Sequence, residues 1–276
     1  MKLCSTQIRS LSAENFPERI FIIQSNNIKN EKLKYAAAVV LWLCVWQAGS
    51  YIANRHLLIP IPDVIGTAKA LVRLGCTSSF WSAALGSVIR VAIGFFFAVI
   101  LGSILAVASS RYRWFKILTA PLISLIRAIP VASFTILVFL WISREKIPSV
   151  ISFLTVLPII WANMESGLAS ADHSLIEMAK VFGMKSGGIL TKIILPGIRP
   201  HFNSAFVSGL GFAWKSGVAA EVICRTGDSL GNMLWSGKTS VDYDEVFALT
   251  LVIVLLSALI AGIAKRTLLG RENDKI

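Results

Sequence analysis

Four ionisable residues lie inside long apolar stretches of this 276-residue chain: Arg90, Arg127, Lys215 and Glu221. A charge at the centre of a membrane helix costs about 2.5–3.5 kcal/mol, so it is kept where it pairs with another charge or faces a polar cavity. Two chemistries fit: an ion pair that fixes a helix bundle, or a charged wall along which a small polar solute moves. We interpret Arg127, Lys215 and Glu221 as lining such a pathway, with a purely structural ion pair as the alternative.

The stretch from His201 to Cys224 carries two of these charges and has little apolar surface to offset them. Its eight Leu, Ile, Phe and Val residues are worth only about 0.3–0.6 kcal/mol each. We therefore expect neighbouring helices or a wet cavity to shield this stretch. On a straight helix Lys215 and Glu221 are roughly 120° apart, so a direct pair between them would need a break in the helix.

Small residues recur at every fourth position in two of the apolar stretches. The rows are Gly94, Ala98, Gly102 and Ala106, and Ala205, Gly209, Ala213 and Gly217. Small side chains at this spacing allow helix backbones to approach closely. The pattern predicts two tightly packed helices.

The chain has no motif typical of a metal site, and no histidine lies in the middle of an apolar stretch, where a catalytic base would be needed. The pattern H-E-x-x-H is absent, and the histidines and cysteines lack metal-ligand spacing. The segment GNMLWSGKTS (Gly231 to Ser240) ends like a phosphate-binding loop, but five residues separate Gly231 from Gly237 where that motif has four. We therefore expect no catalytic residues, no metal and no nucleotide on this chain.

The composition is that of a membrane protein, with 55% hydrophobic and 15% charged residues and a mean hydropathy of +0.70. Stretches of about 20 apolar residues, enough to cross a bilayer, lie near residues 35–53, 84–108, 117–142, 147–168, 201–224 and 243–264. The sequence predicts an all-α polytopic membrane protein with six transmembrane helices in one domain, residues 35–265. Residues 1–34 and 266–276 form the predicted polar tails. Pro121, Pro130 and Pro158 predict kinks in the third and fourth spans.

The net charge of +12 raises two possibilities, nucleic-acid binding or membrane topology. Seventeen Lys and Arg residues fall in the two tails and in alternate loops (109–116 and 165–200), against seven in the other loops. This bias predicts that both termini and the loop at 165–200 face the cytoplasm. Because the cations are spread over separate segments, nucleic-acid binding is disfavoured.

The cytoplasmic loop, residues 172–200, has the signals of two short helices. Ser174 and Glu177 match a capping box, which predicts a helix that starts at Ser174 and ends at Gly183 in a left-handed cap. Ser186 is predicted to cap a second helix that stops before Pro196. An apolar helix face in such a loop is covered by the membrane interface, by the protein's own helix ends or by a partner.

The loop resembles a known motif. Its residues Glu177, Ala179, Gly183, Ile193, Leu195 and Pro196 are similar to the "EAA" loop, E-A-A-x3-G-x9-I-x-L-P, of the membrane subunits of bacterial ATP-binding cassette (ABC) importers. Met178 replaces the middle alanine. The segments LIPIPDV, RAIP, AWKSGVAAEVI and DSLGNML resemble the branch of that family that imports sulfonates, taurine, nitrate and thiamine precursors.

The resemblance implies a type I ABC importer permease of the bacterial plasma membrane, with the loop as a coupling helix. Its expected partners are a second permease subunit, taken to be an identical copy, two cytoplasmic ATPase subunits and an extracytoplasmic substrate-binding protein. ATP and Mg²⁺ would bind the ATPase, and the substrate would be a small organic or inorganic anion or a thiamine precursor. The alternative is a secondary transporter or channel that works alone, which would have no need of a coupling helix.

Overall fold

The structure, a computed structural model, describes residues 34, 36–57 and 61–273. Every regular element in this part of the chain is a helix, which confirms the all-α class. The chain divides into two compact units, residues 1–66 and 67–276, and nearly all of the predicted N-terminal tail lies outside the described residues.

The helices are α1 (Ala36–Arg55), α2 (Val64–Gly75), α3 (Ser78–Arg111), α4 (Arg113–Ala128), α5 (Val131–Phe139), α6 (Ile147–Ala169), α7 (His173–Val181), α8 (Ser186–Ile189), α9 (Leu195–Cys224), α10 (Leu230–Thr239) and α11 (Tyr243–Asn273).

In the first unit, residues 61 and 62, which precede α2, are hydrogen-bonded to α1. The indole N–H of Trp46 donates to the carbonyl of Pro62 (3.1 Å), and the hydroxyl of Ser50 donates to the carbonyl of Ile61 (2.8 Å). Proline carbonyls remain available as acceptors although proline has no N–H to donate. These bonds give the carbonyls of residues 61 and 62, which lie outside the helices, hydrogen-bond donors.

The core of the second unit is a bundle in which α3 and α6 run parallel. A Cβ added to Gly94 would overlap the carbonyl oxygen of Ser149, and one added to Gly102 would lie 3.0 Å from Cβ of Ile160. Contacts this close leave no room for a larger side chain on α3. The row of small residues on this helix is therefore what allows the two backbones to meet.

The helix α9 runs antiparallel to that pair and packs against both. A Cβ on Gly209 would lie 3.2 Å from Val156 of α6, and one on Gly217 would lie 2.5 Å from Val91 of α3 and 2.6 Å from the hydroxyl of Ser152. The prediction of two tightly packed helices is confirmed. The shielding expected for the stretch from His201 to Cys224 is likewise present, because one face of α9 is buried against α3 and α6.

Within residues 34, 36–57 and 61–273, four helices are long and apolar enough to cross a membrane: α1, α3, α6 and the part of α11 from Tyr243 to Leu268. The pair formed by α4 and α5 passes the same criterion together and counts as a fifth span if the bent pair is one span. The fifth predicted span, residues 201–224, falls on α9, which has 30 residues but does not meet the criterion. Its charged side chains and its many small residues lower its hydropathy.

The predicted third span, residues 117–142, is not one straight helix. Its two halves, α4 and α5, meet at an angle of 101° across Ile129 and Pro130. The kink predicted at Pro130 is confirmed and is larger than a simple bend, because both residues leave the helical conformation. Pro121 lies inside α4 without a break. Arg127 lies in the last turn of α4, next to the corner between the two halves.

The helix α2 is joined to the start of α11 by an ion pair. Arg73 of α2 pairs with Asp242 (2.9 Å) and Glu245 (3.2 Å) at the start of α11. The backbone N–H of Glu245, which donates to Asp242 Oδ1 (3.0 Å), and the guanidinium of Arg73 together lower the pKa of Asp242. This ion pair links α2 to α11 at the end of the bundle opposite α7.

Candidate functional site

The loop predicted to couple with a partner forms a helical elbow, defined here as residues 172–195. Its first helix, α7, begins at His173, one residue earlier than predicted. The carboxylate of Asp172 accepts the backbone N–H groups of Ser174 (2.9 Å) and Leu175 (3.4 Å), and also the hydroxyl of Ser174 (2.6 Å). The prediction of Ser174 as N-cap is therefore wrong, because a carboxylate two residues earlier takes the free N–H groups.

The turn of the elbow is built on Gly183, whose φ is +74°. The N–H of Gly183 donates to the carbonyl of Lys180 (3.0 Å), and that of Met184 donates to the carbonyl of Ala179 (2.9 Å). A left-handed residue in this position closes the end of a helix and suits glycine, which has no Cβ to clash. The predicted left-handed cap at Gly183 is confirmed.

The second arm of the elbow differs from the prediction. Lys185, and not Ser186, is the N-cap, and no side chain caps α8. A π-helical turn, Leu190–Ile194, joins α8 to α9, so the helix continues past Pro196. The prediction that this second helix stops before Pro196 is therefore wrong. In the wider π-helical turn, the N–H of Leu195 donates to the carbonyl of Leu190. Pro196 then falls in the first turn of α9, where its missing N–H costs no helical hydrogen bond.

The tip of the elbow is apolar and exposed. Val181 and Phe182, directly before the glycine turn, are 85% and 82% exposed. Neither residue belongs to the sequence motif. The sequence feature that could have identified them is their position as two apolar residues directly before the glycine that ends the helix. Of the six motif residues, Ala179 is buried, Ile193 is half-buried, and Glu177, Gly183, Leu195 and Pro196 are exposed.

At the opposite end of the bundle, the carboxylate of Glu221 is fully buried among groups from three helices. Its Oε2 accepts the hydroxyl of Ser87 on α3 (2.7 Å) and the backbone N–H of Gly231 on α10 (3.3 Å). Its Oε1 accepts no hydrogen bond among the described residues and lies 3.7 Å from Nη1 of Arg90. We call Ser87, Arg90, Glu145, Glu221 and Gly231 the Glu221 cluster.

Arg90 connects the parts of the Glu221 cluster. Its guanidinium donates to the carbonyls of Gly227 (2.9 Å) and Asp228 (3.1 Å) in the turn after α9, and to the carboxylate of Glu145 before α6 (3.3 Å). The Arg90 side chain is 18% exposed. A guanidinium can serve several acceptors at once because its five N–H groups point in fixed directions. Arg90 therefore fastens the turn after α9 to α3 and to the start of α6.

Lys215 lies on the other side of α9 from Glu221. It is exposed, and within residues 34, 36–57 and 61–273 it makes no ion pair. Because α9 is unbroken between the two residues, the expectation that they cannot pair directly on a straight helix is confirmed. Sequence spacing did not reveal that Arg90, 131 positions earlier, is the residue that faces Glu221.

The exposed face of α9 runs along the whole helix and is partly polar. It is formed by Ser204, Ser208, Phe212, Lys215, Ala219 and Ile223. The buried row of small residues lies on the opposite side. Two serines and a lysine on an exposed stripe are unusual for a helix surface that contacts only lipid tails.

Arg127 lies beside a small cavity at the corner between α4 and α5. The cavity has a volume of about 290 Å³ and is lined by Arg127, Phe134, Thr155, Pro158 and, from α9, Phe212. It combines one cation with mostly apolar walls. In the part of the chain that the structure describes, no three His, Cys, Asp or Glu side chains come together as a metal site.

A bundle with a polar stripe on one helix and a helical elbow at its end fits a membrane transport subunit, and the comparison with known families decides the class. Residues 98–267, more than half of the chain, match the family described as "Binding-protein-dependent transport system inner membrane component". The chain belongs to this family, the permease subunits of ABC importers. It is a transport subunit of the inner membrane and not an enzyme.

Known relatives agree with this assignment. The chain is 26% identical over 233 residues to the taurine transport system permease protein TauC of Escherichia coli, covering 83% of this chain and 84% of the relative. It is 26% identical over 180 residues to the bicarbonate transport system permease protein CmpB of Synechococcus elongatus, covering 65% of this chain and 62% of the relative. In fold it resembles a chain of a bacterial alginate ABC transporter, with a TM-score of 0.57, 18% identity, and coverage of 87% of this chain and 95% of that one.

Proposed function

We propose that the elbow docks on a separate cytoplasmic ATPase and that ATP and Mg²⁺ bind there. The observation that carries this proposal is the exposed apolar pair Val181 and Phe182 at the tip of the elbow. An apolar tip of this kind fits a groove on a partner protein. Glu177, Gly183 and the exposed Leu195 lie close along the chain and complete the docking surface, with Ala179, Ile193 and Pro196 shaping its two arms.

The proposed topology has six spans with both termini in the cytoplasm. It counts the bent pair α4–α5 as the third span and α9 as the fifth. The parallel packing of α3 and α6 supports it, because their C-terminal ends and the start of α9 then lie at the elbow end of the bundle. That end also holds the basic segment at 109–116, as expected for the cytoplasmic side. In the proposed assembly a second, identical permease subunit, two ATPase subunits and an extracytoplasmic binding protein complete the importer.

The continuous helix from the elbow into α9 supports a mechanism for coupling. Closure of the ATPase pair on ATP would move the elbow, and α9 would carry that movement into the bundle as alternating access. No hinge interrupts this path, because the helical conformation persists through the π turn and Pro196.

Replacing Gly183 with alanine is expected to uncouple ATP hydrolysis from uptake. Nothing lies within 4 Å of an added Cβ, so the effect comes from the left-handed backbone alone, which costs an L-residue about 1–2 kcal/mol, enough for a roughly five- to thirtyfold loss of the docked conformation. The measurement is substrate taken up per ATP hydrolysed, in proteoliposomes with the ATPase and the binding protein.

The matched control is Gly187→Ala, which also has open space around the new Cβ but no positive φ. It should leave the coupling ratio unchanged. Equal loss in both variants would contradict the role of the turn. Uptake that continues without any ATPase would reject the proposed function and favour a secondary transporter that works alone.

We further propose that the exposed face of α9 and the cavity beside Arg127 form the wall of the translocation pathway, with Lys215 on that face. One cation among apolar walls suits a small anion with a short apolar body, and a volume of about 290 Å³ is near the lower limit for small-molecule sites. The names of the taurine and bicarbonate relatives point to the same substrate class. A thiamine precursor is the alternative. Glu221, predicted as a third pathway residue, contributes through the Glu221 cluster by holding α9 in place.

Replacing Arg127 with glutamine is expected to raise the KM for an anionic substrate by about ten- to a hundredfold, the usual worth of a hydrogen bond to a charged group. The measurement is initial uptake of taurine, an alkyl sulfonate, bicarbonate or a thiamine precursor by proteoliposomes. Arg127→Lys should retain most of the uptake, and Lys69→Gln, which removes an exposed cation outside the bundle core, should have no effect. An unchanged KM for every transported anion would remove Arg127 from the pathway.

A further inference from the structure

A second cavity lies at the elbow end of the bundle, where α3 turns into α4 and α6 ends. Its volume is about 730 Å³. The lining includes three cations, Arg111, Arg113 and Lys116, one carboxylate, Glu165, and the apolar side chains of Ile117 and Ala120. It shares no residue with the cavity beside Arg127 or with the elbow.

The charges of this cavity do not cancel. Nζ of Lys116 lies 2.6 Å from Oε1 of Glu165, whose side chain is only 15% exposed. That ion pair balances the charge of Glu165, the one acid among the described residues that line the cavity. Arg111 and Arg113 are exposed and have no carboxylate partner within residues 34, 36–57 and 61–273. Two guanidinium groups are thus available for an anion, and guanidinium binds phosphate through paired hydrogen bonds.

An apolar surface leads away from the cations along α4. It starts at the cavity with Ile117, which is 69% exposed. The stripe consists of Trp114, Ile117, Leu118, Leu122 and Leu125, all of them exposed. Trp114 stands at the level of the cations, where aromatic side chains commonly mark the boundary between lipid headgroups and tails. A ligand that used both surfaces would need a charged head and an apolar chain.

We propose that this cavity binds the headgroup of an anionic phospholipid from the leaflet at the elbow end of the bundle, with its acyl chains along the exposed stripe of α4. A free phosphate would use the two arginines but would leave the apolar wall of the cavity and the stripe uncovered. Basic pockets between membrane helices bind anionic headgroups by the same chemistry. The bound lipid would steady the α3–α4 turn next to the arm that carries the elbow.

The test is native mass spectrometry of the purified full chain, titrated with phosphatidylglycerol or with phosphatidylcholine of the same acyl composition. We expect one phosphatidylglycerol per chain, bound at least about tenfold more tightly than phosphatidylcholine, and we expect the double variant R111Q/R113Q to lose this preference. R111K/R113K should keep it, which separates loss of charge from loss of fold. Inorganic phosphate in excess should not displace the lipid.

The matched control is K265Q/R266Q, which removes two exposed cations near the same end of the bundle but outside the cavity. It should keep the preference for phosphatidylglycerol. An equal loss in this control, no preference in the unaltered chain, or displacement by inorganic phosphate would each overturn the proposal. The experiment uses the permease chain alone, so its outcome does not depend on the proposed docking of the ATPase.

Discussion

Replacing Val181 and Phe182 together with aspartate is expected to abolish ATP-driven uptake, by at least about a hundredfold. A few side chains at the centre of a protein interface carry most of its binding energy, about 2 kcal/mol or more each, and two carboxylates in the same groove would add desolvation cost. Both residues are more than four-fifths exposed in the isolated chain, so the folding of the permease should not change. The measurement is co-purification of the ATPase together with uptake in proteoliposomes.

The control for this prediction is Val241→Asp, which places a single carboxylate on another exposed apolar residue, 60% accessible, at the opposite end of the bundle. Uptake should persist in that variant. Full ATPase binding by the chain with both substitutions at the tip would show that the elbow is not the docking surface.

Replacing Arg90 with leucine is expected to destabilise the permease strongly. The fully buried carboxylate of Glu221 would lose Arg90, the one cation paired with it among the described residues, and removing one partner of a buried pair typically costs about 3–5 kcal/mol. For a chain of this size such a loss corresponds to a fall in Tm of roughly 10 °C. Thermal unfolding of the detergent-purified chain, followed by size-exclusion chromatography, measures the change.

Adding Glu221→Gln to the Arg90→Leu variant should restore most of the lost stability. A neutral amide needs no cation, and its oxygen can still accept from the hydroxyl of Ser87 and the N–H of Gly231. Arg73→Leu is the comparison, because it removes an arginine from an exposed ion pair and should change Tm little. If Glu221→Gln alone keeps the Tm but raises the KM for substrate, Glu221 touches the solute and the structural role is wrong.

The apolar helices were readable from the sequence because hydropathy acts within one segment. Runs near 84–108, 147–168 and 243–264 became α3, α6 and α11. The small residues at four-residue spacing also identified close packing correctly. The sharp corner between α4 and α5 was harder to read, since a proline such as Pro130 predicts a kink but its angle depends on the helices that pack around it.

The polar partners were less predictable, because each is chosen by three-dimensional proximity. Glu221 could be recognised as a buried charge, but its contact with Arg90 exists only because α3 and α9 are packed together. At the start of α7 two capping residues compete, and the carboxylate of Asp172 prevails over Ser174. The glycine turn was predictable, because the left-handed backbone conformation that ends α7 depends on one residue type at one position, Gly183.

The π-helical turn, Leu190–Ile194, joins the elbow to α9 without a break, so the number of residues between them fixes how the elbow is rotated about the helix axis. Each residue turns an α-helix by about 100°, so a single insertion between Leu195 and Asn203 would rotate the elbow out of phase with the buried row that begins at Ala205. We therefore expect insertions and deletions in this part of α9 to impair the protein more than substitutions do.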